Sequence, residues 1–147
     1  IVFIKKALDA DETNSEYWLT LAKVYTDANK QEKADKTFKY ASRLEPENSD
    51  IWLSWVDALL KFGEVEKALR ILKSGLKKND SVQLKYRMVS LLFERKNENE
   101  AFAILEKAME QDFVQVNYLF DVYPKAIKNR KLQNRINDFR KRNNLDK

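Results

Sequence analysis

The chain has no cysteine and no histidine, and only two glycines and two prolines in 147 residues. Without cysteine there are no disulfides, thiolate metal sites or thiol nucleophiles, although the compartment stays open, since many secreted proteins also lack disulfides. Without histidine the commonest metal ligand and the usual general base near neutral pH are missing, so catalysis would fall to carboxylates, lysines or hydroxyls. So few turn formers argue against strands joined by tight turns. No apolar run approaches the roughly 20 residues that span a bilayer. The opening "IVFIKKALDA" resembles neither a signal peptide nor a native start.

What is present is 44% apolar and 35% charged residues, the balance of a soluble all-helical protein long enough to bury a core. The net charge is +5. From Tyr123 to Lys147 there are nine lysines and arginines against two aspartates, a net of +7, so the remainder sums to −2 and basic character reads as a property of the tail.

Trp18, Leu21, Ala22, Val24, Tyr25 and Ala28 recur at spacings of three and four, which puts them on one face of a helix. Ser15 is placed to cap its start. After "DANKQEK" the pattern resumes with Ala34, Phe38, Ala41 and Leu44, so the segment reads as two antiparallel helices turning near Asn29, the second ended by Pro46. A shift of 34 carries Asn14 to Asn48, Trp18 to Trp52, Asn29 to Gly63, Ala34 to Ala68, Phe38 to Leu72 and Ala41 to Gly75. A further shift of 33 carries Leu59 to Leu92, Ala68 to Ala101, Leu72 to Leu105 and Gly75 to Ala108. Backwards by 34, Phe38 falls on Ile4 and Ala41 on Ala7, so "IVFIKKALDADETN" reads as the second helix of an earlier copy, and the chain as a fragment of a longer protein.

The residues Trp18, Leu21, Ala22, Tyr25, Ala34, Phe38, Ala41 and Pro46 together form a pattern similar to the tetratricopeptide repeat, a 34-residue helix-turn-helix unit. The other copies diverge: Trp55, Val56 and Leu59 replace the usual leucine, small residue and tyrosine, and Asp80 replaces the proline. The resemblance covers roughly residues 1 to 113 and implies an all-α fold, a right-handed superhelix of antiparallel helix pairs with a C-terminal capping helix. The expected organisation is one domain, with the truncated repeat at 1–14, repeats at 15–48 and 49–81, a divergent repeat at 82–114, and a degenerate repeat with a basic cap at 115–147. In that cap Val116, Leu119, Phe120 and Tyr123 precede Pro124. A last helix from Asn129 sets Leu132, Ile136 and Phe139 on one face.

The motif residues are expected to be core. The family resemblance implies that the fifth, ninth and twelfth positions of each copy line an inner groove: Leu19, Lys23 and Thr26; Leu53, Asp57 and Leu60; Tyr86, Ser90 and Phe93. That groove would be an apolar stripe with few charges, suited to a peptide or partner protein. At positions where a related subfamily clamps chaperone C-terminal carboxylates this chain has Leu19, Lys23, Ser54, Gln83 and Arg87, of which only Arg87 agrees, so no such clamp is expected. The leading expectation is a non-catalytic interaction scaffold without cofactor or metal. The alternatives are a structural spacer, or a nucleic-acid or anion adaptor using Arg130, Lys131, Arg135, Arg140, Lys141 and Arg142. Nucleic acid is disfavoured because no exposed aromatics interleave with these cations. The "IVFI" end offers a surface for self-association as a homodimer.

Overall fold

The computed structural model describes residues 14–145; the expected helix of a preceding repeat, and with it the "IVFI" surface, lies outside them apart from Asn14. Among the described residues there are helices and turns and no strand. The helices are α1 (Ser15–Asp27), α2 (Gln31–Leu44), α3 (Ser49–Lys61), α4 (Val65–Lys78), α5 (Val82–Glu94), α6 (Glu98–Gln111), α7 (Val116–Val122) and α8 (Arg130–Arg142), with 3-10 turns at Phe113–Gln115 and Pro124–Lys128. None is long and apolar enough to cross a membrane. The chain divides into two compact units, one ending at Leu84 and the other beginning at Lys85.

In the first unit α1 packs on α2 and α3 on α4, and α2 also packs on α3, which joins one hairpin to the next. The helix starts repeat. Asn14 and Asn48 hold extended backbone and accept from the amides of Glu16 and Asp50 at 3.0 and 3.1 Å. Ser15, expected as the first cap, is instead the first helical residue and is buried, because the capping position needs the extended conformation that Asn14 has.

The turns repeat as well. Asn29, Gly63 and Lys96 all adopt positive φ, at 59°, 79° and 60°. After each, the next amide reaches back to the last helical turn: Lys30 to Tyr25, Glu64 to Leu59 and Asn97 to Leu92, at 2.8 to 2.9 Å. This Schellman closure satisfies carbonyls that the helix end would leave bare, and a left-handed residue is what it requires.

Ala22, Ala34, Phe38, Ala41, Val56, Leu59, Ala68 and Leu72 are almost wholly enclosed, as the repeat pattern predicts. Gly75 permits the closest approach, since a Cβ there would lie 2.9 Å from Cδ2 of Trp52. Trp52 is buried and its Nε1 donates to the Pro46 carbonyl at 2.8 Å. Trp18 is only half-buried, tilted against Tyr40 with ring centroids 4.5 Å apart. Trp55, a departure from the family leucine, stacks on Phe38 of the preceding copy and on Trp52 of its own, at 6.1 and 6.0 Å. Its bulk thereby bridges two repeats.

The second unit has its own aromatic centre. Phe93 meets Phe102 edge-on at 5.2 Å and stacks on Tyr123 at 5.9 Å. Asn129 caps α8 by accepting from the Leu132 amide, and Leu132, Ile136 and Phe139 are buried, as the sequence pattern anticipates. Phe139 stacks on Phe113 at 5.3 Å.

Candidate functional site

Residues on a first helix that point away from their own hairpin are free to line a surface, because the repeat motif consumes the other face. Between α1 and α3 this produces a hollow of about 260 Å³, lined by Lys23, Thr26 and Asp27 of α1, by Ser54, Asp57, Ala58 and Lys61 of α3, and by Phe38 from α2. Three of the expected groove residues, Lys23, Thr26 and Asp57, meet there. Leu19, Leu53 and Leu60 are half-buried and do not line it.

The hollow is ionic rather than the apolar stripe expected. It has two ammonium groups and two carboxylates, and Lys61 pairs with Asp27 at 3.4 Å. The signal was available in the sequence: Lys23 and Asp57 are 34 apart with opposite charge, and so are Asp27 and Lys61. Equivalent positions of stacked copies face one another, so reversing charge at a fixed shift of one repeat makes attractive rows. The fifth, ninth and twelfth positions leave out Asp27 and Lys61, which stand at the thirteenth. The Thr26 hydroxyl is committed, donating to the Ala22 carbonyl at 2.9 Å.

The third set of expected groove residues is enclosed. Tyr86 is 0% exposed, Ser90 2% and Phe93 6%. The Tyr86 hydroxyl donates to the Asp112 carbonyl at 3.1 Å, and Ser90 donates to the Arg87 carbonyl. Burial, with the Asp112 carboxylate adding to it, pushes the Tyr86 phenol well above its ordinary value. Tyr123 is shifted the same way, by burial and then by Glu94 and Glu98. In this divergent copy, apolar side chains at the lining positions are drawn into the second unit's interior, where Phe93 joins the aromatic centre.

Of the basic residues, Arg135 lies over the Phe102 ring at 4.5 Å, Arg140 over Phe113 at 5.5 Å and Arg142 over Phe139 at 5.6 Å. Arg142 also pairs with Glu106 at 2.9 Å, and Lys131 with Glu98 at 3.3 Å. The hydrogen bond it donates to Glu106 raises the Arg142 guanidinium above its ordinary value. Arg130 and Lys141 are exposed. Aromatics do accompany these cations, but as intramolecular partners in the shell of α8.

Similar folds exist among solved structures. One structure of MamA superposes with a TM-score of 0.60 at 18% identity, covering 97% of this chain and 87% of that one. A second MamA structure gives 0.58 at 17%, covering 98% and 82%. YrrB, described as a TPR protein with an unusual peptide-binding site, gives 0.61 at 20%, covering 94% of this chain and 75% of its own. At such identities the likeness is one of fold. No curated protein matches the chain in sequence. A family model does match it, over residues 5–105, which is more than half the chain. The recurring caps, left-handed turns and small-residue contacts of successive hairpins agree with that match, and the chain belongs to the family described as the tetratricopeptide repeat protein 21 ARM repeat.

Proposed function

We propose that the protein is a non-catalytic interaction scaffold that holds a peptide or partner protein in the groove between α1 and α3. The observation that carries this reading is the hollow itself, whose charged lining, Lys23, Asp27, Asp57 and Lys61, comes from first-helix positions outside the packing motif. Side chains of both signs at a narrow surface select a guest by the order of its charges, while Ser54 and the flanking carboxylates offer acceptors to an extended backbone. The description of YrrB as a peptide-binding TPR protein supports the same use of the fold.

The test exchanges two charges without changing the net charge. Lys23→Glu with Asp57→Lys alters only exposed side chains, so the helices stay intact. Proteins captured from an extract of the source cells by immobilised wild-type chain are expected to be lost with the exchanged variant. An unchanged captured set would exclude this groove as the binding surface.

A further inference from the structure

Charge in the first unit is sorted by helix in a way the running total along the chain conceals. The first helices are slightly acidic: α1 has one lysine against two acids, and so does α3. The second helices are basic, α2 with four cations against two acids and α4 with five against one. The near-neutral sum over the first 122 residues therefore hides a basic face.

That face is indented. Two hollows of about 310 and 420 Å³ share Lys39, Trp55 and Ile71. Trp52, Trp55 and Ile71 contribute an apolar floor, while Lys39, Arg43, Arg70 and Lys78 stand at the rim and make no ion pair with a described residue. The one acid that lines them, Asp35, is already engaged, accepting from Trp55 Nε1 at 3.1 Å and pairing with Lys67 at 3.4 Å. Like charges gathered around an apolar floor repel one another, and an anion that displaces water there relieves the repulsion.

We propose that the α2/α4 face is a second docking site, which takes an acidic segment of a partner protein and seats one apolar side chain of that segment on the tryptophan floor. A peptide fits better than a nucleic acid because the indoles cannot act as stacking platforms. Trp55 has its faces against Phe38 and Trp52, Gly75 closes on Trp52, and the two rings expose only 7% and 5%. Both indole N–H groups are spent, on Asp35 and on the Pro46 carbonyl. What remains accepts a leucine or phenylalanine by contact, with carboxylates on either side meeting the rim. Its tryptophans come from α3, which also borders the α1/α3 groove, but no residue lines both places, so each stands or falls alone.

The experiment is fluorescence anisotropy with the intact chain and a short fluorescein-labelled peptide of glutamates flanking a central Leu-Phe pair. The wild type is expected to bind saturably. Lys39→Glu with Arg70→Glu, both exposed, is expected to weaken binding about tenfold or more. Replacing the Leu-Phe pair by alanines is expected to weaken it about fivefold. The Lys23→Glu, Asp57→Lys variant is expected to bind like the wild type. The proposal is overturned by no saturable binding, by affinity that survives the double reversal, or by equal affinity for the alanine peptide, which would indicate charge alone. It is also overturned if an oligouridylate displaces the peptide and loses its own affinity in the same double reversal, which would make the face a nucleic-acid surface.

Discussion

Gly75→Ala sets two opposed effects of known size against each other, so even the sign of the outcome is informative. Gly75 lies within α4, where alanine is favoured over glycine by about 1 kcal/mol through backbone entropy. The added Cβ, however, would sit 2.9, 3.0 and 3.2 Å from Cδ2, Cγ and Cε3 of Trp52. Relief requires the indole to move, and it is held by its hydrogen bond to the Pro46 carbonyl and its stacking on Trp55. Overpacking of this kind costs about 1 to 3 kcal/mol, and a lost hydrogen bond about 1 kcal/mol more. The expected net is a destabilisation of about 1 to 3 kcal/mol. Urea unfolding followed by tryptophan fluorescence and by circular dichroism reads it. Trp52→Leu removes the obstacle, so in that background Gly75→Ala is expected to stabilise by about 1 kcal/mol. A stabilising Gly75→Ala in the wild-type background would refute the claim that the close approach to Trp52, and not chance, keeps glycine there. Copy one, with Ala41 at the matching position, shows the other solution: its Trp18 stays half-buried.

At Gly63 a Cβ meets nothing within 4 Å, so Gly63→Ala is expected to cost about 1 kcal/mol through its φ of 79° alone, while Lys96→Gly, at φ 60°, is expected to stabilise by a similar amount. Equal effects of the two changes in the same direction, in urea unfolding, would contradict this. Tyr86→Phe is expected to cost about 1 kcal/mol at neutral pH through the lost bond to Asp112. The folded-state phenol titrates above its unfolded value, so its contribution is complete below about pH 10 and declines as pH rises beyond that. The wild type's advantage over the phenylalanine variant should therefore shrink above about pH 10, and a constant gap would count against the burial argument.

Local order in this chain is carried by single residues whose covalent nature decides their role. Asn14 and Asn48 cap, Asn29 and Gly63 accept left-handed backbone, Pro46 halts α2 two residues after Leu44, and apolar spacing marks each buried face. Apart from the caps, the first of which the sequence places at Ser15, these features, with the repeat length and the last helix from Asn129, were legible without coordinates because helix periodicity and turn chemistry act over neighbours within a few residues. Lys96 was not legible as a turn residue, since nothing in a lysine side chain favours positive φ; the closure from Asn97 to Leu92 imposes it.

Tertiary structure alone decided which lining positions are open and where charge gathers. Periodicity identifies a helix's apolar faces but does not tell which of two apolar faces is enclosed, and so Tyr86 and Phe93 read as groove residues although they are interior. A glutamate at Tyr86 would therefore bury a charge rather than change a groove surface. The acids of the first helices, with Glu45, Glu47, Glu64 and Asp80 between helices, offset the basic α2 and α4 in a sum taken along the chain, because residues adjacent in sequence diverge around a helix while residues 34 apart converge across a repeat. Sequence order specifies the rows, and only the stacking of hairpins brings those rows together into a charged hollow and a tryptophan-floored one.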